Sequence, residues 1–259
     1  MNEERKKKKV ILQTKEVNVR FGGLRALRNV SLDVREGALH SIIGPNGAGK
    51  TTLFNILSGF LPPTSGKIYF DGRDITALKP YRISQLGLSR SYQITNIFLK
   101  LTVLENVRIA VQSRSPKRFG LFRSADRLSE IGEESKEVLG KIGLLEQGSK
   151  LAGELSHGDQ RALEVGIALA TGPKVLLLDE PTSGMSPHET KSMIQLIRKI
   201  SADQTILLIE HNMSVVMTVS DRITVLQQGE VIADGTPIEV KNNVDVKRAY
   251  LGGMADAQH

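Results

Sequence analysis

The chain has 259 residues, enough for one large domain or two small ones with a sizeable core. Apolar residues make up 40% and charged residues 24%, which excludes wholesale disorder and fibrous repeats. The absence of cysteine excludes a disulfide scaffold, a thiol nucleophile and thiolate metal sites, and suits a reducing compartment. The formal net charge is +7, and part of it is concentrated in Arg5, Lys6, Lys7, Lys8 and Lys9. Two readings of that run stay open: a solvated tail, or a weak contact to anionic lipid or nucleic acid. No apolar run reaches the roughly 18–20 residues that span a bilayer. The basic start breaks into charge before a signal-like apolar region forms, so a soluble intracellular chain is expected.

Residues 1–12 read as a basic flexible tail. Short strands follow at Val17–Phe21, Val30–Val34 and Leu39–Ile43, separated by Gly22-Gly23 and Glu36-Gly37. Thr51–Ser58 has helical spacing. Gly66–Phe70 and Arg73–Ile75 form a hairpin around Asp71-Gly72. From about Tyr81 to Thr171 helix formers dominate, with Ser124–Ile142 the clearest helix, which predicts a helical subdomain at 91–171. Val175–Leu178 and Thr205–Ile209 are short apolar runs, as in buried parallel strands. Pro187–Ile200 is a helix with proline in its first turn, and Ile223–Leu226 pairs with Glu230–Ala233 around Gln228-Gly229. The expected fold class is α/β: a core over 13–90 and 172–240 with a mixed sheet, an N-terminal antiparallel β subdomain, the helical subdomain, and a C-terminal helix at 241–254.

Gly44-Pro45-Asn46-Gly47-Ala48-Gly49-Lys50-Thr51, followed by Thr52, fits the P-loop pattern G-x-x-x-x-G-K-[ST] between a strand and a helix. A triphosphate is dense negative charge, and backbone N–H groups wrap it only where side chains stay away, hence Gly44, Gly47 and Gly49. The helix that follows aims its positive end at the anion. Lys50 reaches the β- and γ-phosphates, and the Thr51 hydroxyl is a ligand for Mg²⁺. A second motif, Val175–Leu178 followed by Asp179-Glu180, puts two acids at the tip of a buried strand. Asp179 there holds the metal through a water, and Glu180 polarises the attacking water.

With these motifs in order, the chain resembles the ATP-binding subunit of an ABC transporter from about Gln13 to Leu251. Leu155-Ser156-His157-Gly158-Asp159-Gln160 looks like the family signature, usually L-S-G-G-Q. The resemblance implies that Ser156, His157 and Gly158 cap the γ-phosphate held by the opposite subunit. It implies that Gln93 senses Mg²⁺ and that the stretch Gln93–Leu101, with Ile94, Ile97, Phe98 and Leu99, contacts a membrane permease. Those four apolar residues also read as local core. His211 looks like the switch histidine on the γ-phosphate, and Phe21 occupies the position that stacks on adenine, with a plain core role as the alternative. Two departures stand out: His157 replaces a signature glycine, and Ser186 stands where the D-loop normally carries Asp. They put trans phosphate geometry and subunit coupling in doubt.

Phe21–Leu27, the signature loop and Gly184-Met185-Ser186-Pro187 resemble the branched-chain (hydrophobic) amino-acid uptake group, which includes urea and amide importers. The resemblance implies ATP and Mg²⁺ as cofactors and a second ATPase subunit, identical or related, as partner. It also implies integral-membrane permease subunits, indirect dependence on a periplasmic or extracellular binding protein, and a peripheral position on the cytoplasmic face of the inner membrane. Nucleic acid is not an expected partner. The alternatives are a lipopolysaccharide-export-type ATPase and a non-transport ABC ATPase.

Overall fold

The structure is a computed structural model that describes residues 8–91, 97–114 and 125–255. In chain order the elements are β1 (Val10–Phe21), β2 (Leu24–Arg35), β3 (Leu39–Ile43), α1 (Lys50–Leu57), β4 (Ser65–Phe70), β5 (Arg73–Asp74) and α2 (Pro80–Leu86). Then come β6 (Leu88–Arg90), α3 (Val103–Ser113), α4 (Ala125–Ile142), α5 (His157–Ala170), β7 (Val175–Asp179) and α6 (Pro187–Ile200). The chain ends with β8 (Thr205–Ile209), α7 (Met213–Val219), β9 (Arg222–Gln227), β10 (Glu230–Gly235), α8 (Pro237–Asn242) and α9 (Val244–Ala255). Contacts divide these into two compact units: residues up to 86 with those from 203 onward, and residues 87–202.

The first unit holds an antiparallel sheet in the order β2-β1-β4-β5 and a mixed set in which β10-β9-β3-β8 are neighbours. β3 is parallel to both β8 and β9, while β10 returns antiparallel on β9. All five residues of β3 and of β8 are buried, as strands covered on both faces require. α9 closes this unit over Ile43, Val216, Val225 and Val246, with Tyr250 packed against them.

β1 is longer than its sequence signal. It starts at Val10, inside the stretch expected to be a tail, because Ile11 and Leu12 are buried and pair into the sheet. Lys9 is ion-paired with Asp71. Residues 1–7 of that expected tail lie outside the described residues. Register shifts along β1–β2, with Glu16 and Asn29 in left-handed backbone, interrupt the two-residue alternation.

The second unit pairs β6 with β7 in parallel and packs α3, α4 and α5 together around Val103, Val107, Leu139 and Leu163. α6 packs on α4 and α5. Residues 172–202 therefore group with the helices here, whereas the sequence reading put the boundary at 171. The expected C-terminal helix at 241–254 is α9, which starts at Val244 and is preceded by a short, separate α8: Thr236 caps α8, and Asn243 accepts from Asp245 and Val246 N–H at the start of α9.

Candidate functional site

In the first unit, β3 ends at Ile43 and the chain turns at Gly44. A Cβ on Gly44 would stand 2.2 Å from the Leu226 carbonyl oxygen, so only glycine fits the first position of the loop. Gly49 has φ 101° and caps α1 with no side-chain hydrogen bond, and no acidic residue occupies the first turn. The positive end of α1 is thus offered to an external anion rather than to a side chain of its own. Asn46 and Gly47 are exposed at the loop tip, Ala48 is buried beneath it, and Gly229 N–H donates to the Ala48 carbonyl at 3.1 Å. Pro45 accepts from Ala48 N–H, which closes the turn.

Lys50 is buried at 7% exposure, with Nζ 2.8 Å from the Gly44 carbonyl and 3.2 Å from that of Pro45. The ammonium is curled over the loop at its centre. Thr51 is exposed on the first turn of α1 and Thr52 half-buried behind it. Because β3 and β8 run parallel with Ile42 opposite Ile209, the loop after Ile43 and the His211 segment leave the same edge. His211 is exposed, with Nδ1 4.0 Å from the buried Glu210 carboxylate. Asn212 caps α7 by accepting from Ser214 and Val215 N–H. On the other side, the Ala26 carbonyl and Leu27 of β2 crowd Gly49. The β1–β2 hairpin that ends in Phe21 therefore runs alongside the loop. Phe21 is 48% exposed, an aromatic face open to solvent and not core. The structure so brings together Gly44–Thr52, His211 and the Phe21 hairpin.

In the second unit, Asp179 ends β7 almost fully buried, and its Oδ2 accepts from the Arg90 guanidinium at 2.7 Å. Arg90 ends β6, which lies parallel to β7 with Arg90 opposite Leu177. This arginine carried no signal in sequence: a three-residue strand is too short to show a period. Glu180 has φ 47°, an uncommon left-handed conformation for a carboxylate residue, and its carbonyl accepts from Ser183 N–H at 3.1 Å. The tight turn holds Glu180 directly after Asp179.

Ser156 caps α5, its hydroxyl accepting from Asp159 N–H at 3.1 Å. His157 is exposed at the first helical position, and the Gly158 N–H donates to Glu189 Oε1 at 3.1 Å. Ser186 caps α6 in a reciprocal capping box with Glu189. Bonds from Ser186 and from the Gly158 N–H, with His157 nearby, hold the Glu189 carboxyl below the usual carboxylate range. The departure from Asp at 186 thus leaves the local structure intact, since serine caps a helix as well as aspartate does. Glu189 was not singled out in sequence, although S-x-x-E after a turn was the available signal.

Gln93 and Ile94 lie outside the described residues. Of the rest of that stretch, Ile97 is buried in the helical core and is no part of an exposed face. Phe98 and Leu99 are 55% and 51% exposed. The buried Asn106 pins the segment: it accepts the Phe98 N–H at 2.8 Å and donates to the carbonyls of Phe98 and Thr102 at 3.1 and 2.9 Å. Among the described residues no three His, Asp or Glu side chains cluster as a protein-built metal cage, and no helix is long and apolar enough to cross a membrane.

Comparison with known proteins accounts for these features together. The ABC transporter family matches residues 27–183, and a family described as branched-chain amino acid ATP-binding cassette transporter matches residues 230–256. The chain is 46% identical over 243 residues to the high-affinity branched-chain amino acid transport ATP-binding protein LivG of Salmonella typhimurium, covering 90% of this chain and 94% of the relative. A crystal structure of an ATP-binding cassette of an ABC transporter in its ADP conformation aligns with a TM-score of 0.83 and 32% identity, over 94% of this chain and 99% of the other. A dimeric ATP-binding cassette in a post-hydrolysis state, bound to ADP and Pi, aligns with a TM-score of 0.74 and 26% identity, over 88% and 99%.

Proposed function

The chain belongs to the ABC transporter family, and on that premise we propose that it is the Mg²⁺-dependent ATPase subunit of an importer for branched-chain amino acids or a related small solute. The observation that carries the reading is the loop at residues 44–49. It combines a glycine that no Cβ can replace, an uncapped helix start and a buried lysine over the loop. It shares its edge with His211. That is a receptor for a polyphosphate.

In this reading Phe21 stacks on the adenine, and the N–H groups of Gly44–Thr52 (Gly44, Pro45, Asn46, Gly47, Ala48, Gly49, Lys50, Thr51 and Thr52, proline excepted) surround the phosphates. Lys50 leaves the loop carbonyls for the β- and γ-phosphates. Thr51, Asp179 and Gln93 are the residues that would hold Mg²⁺, directly or through water, and the ion would supply charge neutralisation for the phosphate. An ion that takes most ligands from phosphate and water needs no side-chain cage. Glu180 orients and deprotonates the attacking water, and His211 donates to the γ-phosphate.

One chain carries one copy of each motif. Two ATPase subunits, identical or related, therefore complete each other: Ser156, His157 and Gly158 of one face the nucleotide on the other. The γ-phosphate is the shared ligand, so the pair closes while it is present and opens when it is gone. Phe98 and Leu99 transmit that motion to membrane permease subunits, and through them to an external binding protein. The subunit sits peripherally on the cytoplasmic face of the inner membrane.

The test combines two variants with purification from detergent-solubilised membranes. Glu180→Gln is expected to abolish turnover while retaining ATP and trapping a dimer; Lys50→Ala is expected to lose nucleotide binding itself. Recovery of membrane subunits with the wild-type chain completes the reading. Near wild-type hydrolysis by Glu180→Gln would remove Glu180 from its role, and recovery of ribosomes or nucleic acid would overturn transport.

A further inference from the structure

One carboxylate joins two segments that the proposed mechanism treats separately. Glu189 uses Oε2 to accept from the N–H and hydroxyl of Ser186 at 2.9 and 2.7 Å, and Oε1 to accept from the N–H of Gly158 at 3.1 Å. The first pair of bonds is local capping. The second reaches across 31 residues to the first turn of α5. The Gly158 N–H is one of the donors that a helix start leaves unsatisfied and that attracts an anion.

Glycine at 158 makes this close approach easy. A Cβ there would stand 3.0 Å from both Cγ and Oε1 of Glu189, so the carboxylate would have to give way by a few tenths of an ångström. The carboxylate also has somewhere else to go. A cavity of about 390 Å³ opens beside it, lined by Ser156, Asp159, His188, Ser192 and Leu196 among others.

We propose that Glu189 is a positioning residue that acts as an internal stand-in for phosphate, occupying the Gly158 N–H until the partner-bound γ-phosphate displaces it. This rests on the reading in which Ser156–Gly158 meets nucleotide held by the opposite subunit. Two anions cannot share one N–H, and the carboxylate charge also repels the incoming phosphate. Closure of the pair therefore has to break a charge-assisted hydrogen bond and move Glu189 toward the cavity, while Ser186 keeps its capping contact or gives it up in the same movement. Glu189 thereby sets the ATP concentration at which closure occurs, and it ties the start of α6 to the state of the signature loop.

The experiment measures ATP-dependent dimer formation by sedimentation, with Glu180→Gln as background so that nucleotide persists. Glu189→Gln removes the charge and leaves one acceptor oxygen to serve either Ser186 or the Gly158 N–H, not both; Glu189→Ala vacates the amide. Both are expected to lower the half-saturating ATP concentration, with Glu189→Ala lowering it by roughly tenfold, the scale of one charge-assisted hydrogen bond. Glu189→Ala also removes the capping box, so its thermal unfolding is expected at lower temperature, whereas glutamine is itself a capping-box residue. A purely structural role predicts the opposite sign in the dimer assay: a loosened helix start and more ATP required. An unchanged or raised half-saturation point, with the background protein dimerising normally, overturns the proposal and leaves trans capping in place. Failure of the Glu180→Gln background itself to dimerise with ATP overturns the trans reading, and this proposal with it.

Discussion

Replacing Asn106 by leucine separates the stability of the Phe98 segment from its use. The side chain is 1% exposed and makes three strong bonds to main chain: from the Phe98 N–H, and to the carbonyls of Phe98 and Thr102. Leucine keeps the branch point and the number of side-chain heavy atoms but is bulkier, so the three polar partners lose their bonds and any crowding adds to that loss. The Thr102 carbonyl keeps the Asn106 N–H at 3.1 Å, and Phe98 can turn toward water, so not every group is stranded. With about 1 kcal/mol for each net bond lost, the expected cost is about 3 kcal/mol. Urea unfolding followed by circular dichroism reads this as a lower midpoint at unchanged slope. ATP hydrolysis by the isolated variant is expected to persist under native conditions, because Asn106 lies outside the residues assigned to nucleotide. Transport by reconstituted complex is expected to fall, because Phe98 and Leu99 lose their fixed placement. Phe98→Asp is the companion variant: its exposed position predicts a stability change within about 0.5 kcal/mol but the same loss of transport. A loss below about 0.5 kcal/mol in Asn106→Leu would refute the bond count. Full transport by both variants would refute the coupling role of the segment.

Two further outcomes follow from buried charge. Arg90→Leu leaves the Asp179 carboxylate, 2% exposed, without the guanidinium at 2.7 Å, and about 3–5 kcal/mol of stability is expected to go with it; Arg90→Lys should retain part, and a loss under about 1 kcal/mol in the leucine variant would show that other groups carry the pairing. His40 is fully buried in β3, its Nε2 2.7 Å from Thr224 Oγ1, and burial pushes its pKa down to about 4. The unfolded side chain titrates near 6.5, so the charged form is penalised only in the fold. Stability from this residue is full above pH 6.5, falls as the pH drops below it, and is spent near pH 4, a loss of about 3 kcal/mol across that window. Urea midpoints of His40→Gln and wild type should converge as the pH falls through it, and parallel profiles would rule the assignment out.

What could be read from the sequence was what is written in adjacent residues. The loop Gly44–Thr51, the strand ending in Asp179-Glu180 and the proline-started α6 each depend on a spacing of a few positions, and each lies where the pattern placed it. β1 shows the limit of pattern. Twelve residues form one strand, but only Val17–Phe21 had been legible, because bulges and the left-handed Glu16 break the alternation that a period test needs. β6 was missed for the opposite reason, being three residues whose strand character comes from pairing with β7 far along the chain.

The polar residues that organise the site illustrate the same physics more sharply. Arg90 meets a partner 89 positions away, and Glu189 one at 31. In one dimension each looks like a solvated surface charge, since nothing in a neighbouring residue records a contact made after folding. Asn106 shows that even eight positions suffice to hide a staple when the connection runs through a loop. The reverse also occurs. Ser186 was conspicuous as a departure from Asp, and its fold makes the difference small, because the cap needs an acceptor oxygen at that point and either residue supplies one. A motif letter therefore misleads when several side chains satisfy one physical requirement. It says least about a residue such as Glu189, whose requirement is set by another segment altogether. Chemistry done by one turn of chain is visible before folding; the coupling of two turns is created by it.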